Sequence, residues 1–142
     1  MPLTSDAEIK SLLESVKTIA MIGASDKPNR DSNRVMLYLQ QRGYRVIPVN
    51  PTIGGQQIHG EHVWADLSEV GVPIDMVDVF RNSEAAGAAV DEAIAAGAKA
   101  VWMQLGVVNE AAAAKAEAAG LKVVMDRCPK VEIPRLGVAK VA

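Results

Sequence analysis

Residues 18–35 read TIAMIGASDKPNRDSNRV. Ile19 to Ile22 form an apolar run that stops at Gly23. The small Ala24 and Ser25 follow, then a polar loop broken by Pro28, and from Ser32 apolar residues recur at helical spacing. Strand, tight turn and helix in that order make the first half of a βα unit. Working outward, the return half recurs as QQRGYRVIPV (40–49), AAGAKAVWMQ (95–104) and AAGLKVVMD (118–126), each a helical stretch, a glycine and a short apolar strand. Gly43, Gly97 and Gly120 fall where a helix C-terminus takes a positive φ, which glycine adopts without steric cost.

The helix starts are signed as well. Ser5 with Glu8 and Asp66 with Glu69 have capping-box spacing, while Ser83 and Asn109 each offer an oxygen to an orphan N–H just before Glu84 and Glu110. These signals predict helices at about 6–16, 32–42, 66–70, 83–96 and 109–119, and strands at 18–23, 45–49, 74–80, 100–105 and 122–126. Apolar residues run together in the strands instead of alternating, which predicts a parallel sheet covered by helices on both faces. The expectation is one α/β domain over residues 1–142, a doubly wound Rossmann-like sheet of about five strands in the order 3-2-1-4-5, with an N-terminal helix at about 5–16 packed on it. Pro48 is awkward there, because an interior strand loses a ladder hydrogen bond at proline.

The chain's 142 residues suffice to bury one core without disulfides. Fifteen basic and seventeen acidic side chains leave a net charge of −2 with no charge run, which argues against nucleic acid or an anionic membrane as a partner. A single cysteine forms no internal disulfide, and Met1-Pro2-Leu3-Thr4 does not begin an export signal, so a cytoplasmic location is expected. Apolar stretches fall far short of a membrane span.

In a sheet of this kind, ligands bind beyond the carboxyl ends of the strands, at the switch point, here expected between the first and fourth strands. Five loops meet there: GASDKPNRDS, NPTIGG, FRNS, QLGVVN and DRCP. In the first, Gly23, Ala24 and Ser25 allow close backbone approach. The helix behind them points free N–H groups at the same place, and Lys27, Arg30 and Arg34 add charge, so the loop suits a phosphate. A nicotinamide dinucleotide fits poorly: G-x-G-x-x-G is met at one glycine of three, and the second strand ends Val49-Asn50-Pro51 without a ribose-binding carboxylate. No P-loop motif occurs.

IGAS followed by basic residues and Ser32, then GYRVIPVNP, DMVDVFRNS, VWMQLG and VVMDRCP, resembles the stand-alone CoA-binding domain proteins of bacteria and archaea. The likeness spans about 9–137 and matches five loops in order. The same domain forms part of the succinyl-CoA ligase α subunit and of ADP-forming acyl-CoA synthetases. The resemblance implies that Gly23, Ala24, Ser25, Arg30 and Ser32 line the phosphate and ribose end of coenzyme A. It implies Val49, Asn50 and Pro51 on the adenine side, Val79, Phe80 and Arg81 closing the pocket below the nucleotide, and Gln104 and Gly106 at the pyrophosphate or the start of the pantetheine arm. Two departures stand out. Ile53 precedes Gly54-Gly55 where the ligase pattern has a lysine, and the ligases' phosphorylated histidine belongs to a second domain that this chain has no room for, so their chemistry is expected to be absent.

The remaining reactive residues read more plainly. His59 and His62 lie in a Gly-rich crossover without a cysteine nearby, a poor metal site, and are expected to belong to a surface loop packed by Ile58, Val63 and Trp64. Cys128 has Arg127 beside it but no nearby base, so it is expected to be packed; a mixed disulfide with the CoA thiol is a weaker expectation. Asp78 lies inside an apolar strand and is expected to be structural, and Trp64 and Trp102 to belong to the core. The resulting expectation is non-catalytic binding of coenzyme A or a short acyl-CoA. The alternatives are an NAD(P)-dependent oxidoreductase, a Cys128-dependent acyl-CoA enzyme, or a CoA-sensing module for a protein partner. A protein partner or weak homo-oligomer stays open.

Overall fold

The computed structural model describes residues 1–141. In chain order its elements are α1 (Asp6–Ser15), β1 (Thr18–Ile22), α2 (Asp31–Gln41), β2 (Arg45–Val49), the short hairpin of β3 (Gln57–Ile58) and β4 (Glu61–His62), β5 (Met76–Val79), α3 (Ala86–Ala95), β6 (Ala100–Met103), α4 (Glu110–Ala118), β7 (Lys122–Val124) and α5 (Pro129–Leu136). The five long strands form one parallel sheet in the order β2-β1-β5-β6-β7. The doubly wound α/β architecture is as expected, but the order is not. Numbered along the chain, the sheet strands run 2-1-3-4-5 in place of 3-2-1-4-5, so the switch point lies between β1 and β5, the first and third of them.

The physical reason is visible in the strands themselves. All four residues of β5 are buried, and β1 and β6 flank it, whereas an edge place would have bared one row of its backbone. The edge belongs to β2, which carries Pro48. The Pro48 carbonyl faces outward and accepts from the Trp64 N–H at 3.0 Å, so the N–H that proline lacks would also have faced outward. Trp64 in turn accepts from the Asn50 N–H at 2.9 Å, and this single stretch of the crossover covers the exposed edge.

Alternation along the strands divides the core in two. Ile22, Val49, Val77, Val79, Val101 and Met103 pack under the alanine-rich faces of α3 and α4. Ile19, Met21, Met76 and Trp102 pack under α1, α2 and α5. Trp102 is fully buried and its indole N–H donates to the Arg127 carbonyl at 2.7 Å, as a core tryptophan requires.

Ser5 accepts from the Glu8 N–H, Asn109 from the Ala112 N–H, and Asp66 and Glu69 complete a capping box, although the last caps one 3-10 turn, Leu67–Glu69, and not an α-helix. Gly43, Gly97 and Gly120 all have positive φ. Ser83 does not cap α3. That helix starts three residues later, and the Ser83 hydroxyl accepts from the Val108 N–H at 3.0 Å, tying two rim loops together.

The C-terminal helix α5 was not among the expected elements. Pro129 at its first turn and Gly137 at φ 66° mark its ends, but two prolines in eight residues hide the pattern. A cluster of charges anchors it. Glu132, buried, accepts from Arg127 at 2.6 Å and from Arg135 at 2.6 Å, and Arg135 reaches on to Asp6 of α1 at 2.9 Å. The Arg135 guanidinium, helped by Arg127, holds the Glu132 carboxyl below the usual carboxylate range.

Candidate functional site

Two adjoining cavities open on the carboxyl edge of the sheet. The first, about 720 Å³, lies over the switch point between the β1–α2 loop, the turn after β2 and the end of β5. The second, about 350 Å³, continues from it between α2, the loop after β6 and the start of α5. Asp31, Phe80 and Arg81 line both, so the two form one bent groove. Each is of a size ordinary for a small-molecule site.

The β1–α2 loop is rigid for reasons the chain carries locally. Gly23 has φ 91°, and a Cβ there would fall 2.0 Å from the Phe80 carbonyl oxygen, so the neighbouring strand's backbone requires the glycine. Asn50 Nδ2 donates to the Ala24 carbonyl at 2.8 Å, and Asn33 Nδ2 donates to the Ser25 carbonyl at 2.9 Å. His59 Nε2 meets Asn33 Oδ1 at 2.9 Å, which engages this ring in holding the loop, while the His62 ring packs edge-on against Trp64 at 4.5 Å. Among the described residues no cluster of His, Cys, Asp and Glu has metal-site geometry.

Over this loop stands the start of α2. Its N-cap, Arg30, gives no side-chain hydrogen bond, so the first-turn amides and the positive end of the helix dipole open on the first cavity. Arg34 is engaged with Asp31 and with the Asn29 carbonyl. Lys27, Arg30, Arg81 and Lys130 make no ion pair among the described residues, and all four line the groove.

The residues expected at the site divide accordingly. Gly23, Ser25, Arg30, Ser32, Asn50, Phe80 and Arg81 line the first cavity, and Gln104 lines the second. Ala24, Val49 and Val79 do not line either; their side chains are buried in the two cores below. Pro51 lies outside both cavities, and the Gly106 N–H is taken by Asp126 Oδ1 at 2.7 Å, with Asp126 itself at φ 58°. Lys130 and Val131 were missed along with α5, whereas Leu105 and Val107 belong to the expected loop QLGVVN without having been singled out in it. Asp78 is fully buried in β5, where burial pushes its carboxyl well above the usual range. Cys128 caps α5 and borders the second cavity without a hydrogen-bonded base among the described residues.

Comparison with known proteins places these features in a wider set. The model of the family described as CoA binding domain matches residues 17–134. The uncharacterised Bacillus subtilis (strain 168) protein YneT is 42% identical over 127 residues, 89% of this chain and 93% of that protein. A hypothetical protein from Pyrococcus horikoshii OT3 superposes with a TM-score of 0.89 at 38% identity, covering 96% of each chain. A Candidatus Korarchaeum cryptofilum dinucleotide-forming acetyl-coenzyme A synthetase, solved with phosphate and ADP, shares the fold at a TM-score of 0.67 and 21% identity, over 81% of this chain and 26% of that one.

Proposed function

Because this chain belongs to the CoA-binding domain family, we propose that it binds coenzyme A or a short acyl-CoA in the groove at the carboxyl edge of its sheet and carries out no chemistry on it alone. The observation that carries the reading is the uncapped start of α2 facing a cavity whose Lys27, Arg30 and Arg81 make no ion pair among the described residues. Free amides, a helix dipole and unpaired cations together suit the phosphates of the nucleotide. Gly23, Ser25, Arg30 and Ser32 hold that end, Asn50 and Phe80 border the base and ribose, and Gln104 meets the arm beyond the pyrophosphate.

The non-catalytic role is supported by the state of the reactive side chains. His59 is engaged in the loop scaffold, His62 packs on Trp64, and the Cys128 thiol has no hydrogen-bonded base among the described residues.

A ligand that binds the folded state alone raises apparent stability by about 2.7 kcal/mol at a hundredfold excess over Kd. Thermal unfolding with CoA, acetyl-CoA, dephospho-CoA, NAD and NADP tests the reading. CoA and acetyl-CoA should raise Tm, dephospho-CoA less so. A shift with NAD or NADP and none with CoA would overturn it.

A further inference from the structure

The hairpin of β3 and β4 turns through two residues, His59 and Gly60, with φ 48° and 83°. Two-residue hairpin turns with both φ positive favour glycine, asparagine or aspartate at the first place, because a larger side chain strains the backbone there. His59 is exposed, so burial of its ring does not repay that strain. A specific contact does. Nε2 lies 2.9 Å from Asn33 Oδ1 and 3.1 Å from the Asn33 carbonyl oxygen. Both of these are acceptors, so Nε2 carries the proton and donates to them. Asn33, 5% exposed, donates in turn through Nδ2 to the Ser25 carbonyl at 2.9 Å. Gln40 Nε2 donates to the His59 carbonyl at 3.2 Å, so the hairpin tip is fastened to α2 near both of its ends.

Ser25 lines the first cavity and Asn33 lines neither, so the carbonyl that Asn33 holds is turned toward the helix and away from the groove. An Asn33 amide rotated by half a turn would set Oδ1 against the Ser25 carbonyl, two acceptors face to face. That carbonyl would then swing toward the cavity, where its partial negative charge opposes a bound anion. We propose that His59 is a positioning residue for the groove: its ring fixes the Asn33 amide, and through it keeps the Ser25 carbonyl out of the phosphate site, at a cost to the hairpin's own stability. The inference rests on the CoA reading, which supplies the phosphates.

The test pairs calorimetry with CoA and denaturant unfolding of the free protein, both on the full chain. His59→Gly suits the turn but removes the ring. It should bind CoA about three- to tenfold more weakly, with the unfolding midpoint unchanged or raised. His59→Gln, which keeps an N–H donor at similar reach, should recover most of the affinity. Asn33→Ala should weaken CoA at least as much, and His59→Gly should add nothing on that background. Where Asn33→Ala does not fold, Asn33→Asp, which cannot donate to Ser25, takes its place. An unchanged Kd in His59→Gly overturns the proposal, as does a loss that persists in full on the Asn33→Ala background or that His59→Gln does not relieve. A lower unfolding midpoint in His59→Gly overturns it too, since the ring would then serve the hairpin. Failure of the wild type to bind CoA also overturns it, and identifies the CoA reading as the part that failed.

Discussion

The seam between α1 and α5 and the groove at the carboxyl edge of the sheet use the same basic side chains in opposite ways. At the seam, Arg127 and Arg135 converge on the buried Glu132, and Arg135 continues to Asp6. Along the groove, Lys27, Arg30, Arg81 and Lys130 have no anionic partner among the described residues, and the start of α2 has no side-chain cap. A net charge of −2 conceals this difference entirely. Paired cations tie the two helices together, and unpaired ones gathered on one edge give it the positive charge that the proposed phosphate site requires.

Substitutions can break that contrast at either end. The largest effect is expected from Gly23→Ala, whose methyl would meet the Phe80 carbonyl under a positive φ. A stability loss of about 3 kcal/mol or more in denaturant unfolding, with CoA binding lost as well, is the expected outcome. A near-neutral effect would show that the strand ends move apart easily. Glu132→Ala breaks the centre of the seam and should lower stability by about 2 kcal/mol, since it strands Arg127 and leaves Arg135 with Asp6 alone, while leaving the CoA affinity of the folded protein unchanged. A parallel loss of affinity would mean that seam and groove are coupled through α5.

Arg30→Ala should do the reverse. The Kd for CoA should rise about tenfold by calorimetry, as for one charge-assisted hydrogen bond, with the unfolding midpoint of the free protein unmoved. An unchanged Kd would remove Arg30 from the site.

The smallest effect is a pair of opposing pH slopes. Burial raises Asp78, so the folded state holds that proton more tightly than the unfolded chain, and stability from this group declines as pH rises from about 4 through the raised value. The arginines lower Glu132, so its contribution is present above about pH 4.3 and is lost as pH falls through the lowered value. In unfolding midpoints measured across pH, Asp78→Asn should flatten the decline toward alkaline pH, and Glu132→Gln the decline on the acid side. Swapped effects would reverse these assignments.

Parts of this contrast were legible early and parts were not. The phosphate-suited loop could be read from Gly23, Ala24 and Ser25 followed by basic residues, because close approach and positive charge are local properties. The reason for Gly23 was not, since the atom that forbids a side chain there belongs to Phe80 on another strand. The resemblance implies a ligand contact for Asn50, and its second role, the amide nitrogen holding the Ala24 carbonyl, shows only in the fold. The strand order was mistaken although Pro48 held the clue, because an edge assignment for β2 removes the awkwardness that an interior one creates.

The amino-acid sequence by itself determined the alternation of helix and strand, the ends of most helices and the α/β plan, because capping oxygens, glycines at positive φ and unbroken apolar runs act within a few residues of where they stand. Tertiary structure alone decided that β5 lies between β1 and β6, that α5 lines the groove, that Arg34 is engaged while Arg30 makes no ion pair among the described residues, and that Asp78 lies under Gln104. Each of these is a meeting of groups distant in the chain, and their pairing follows from which surfaces must be buried together and not from any local preference.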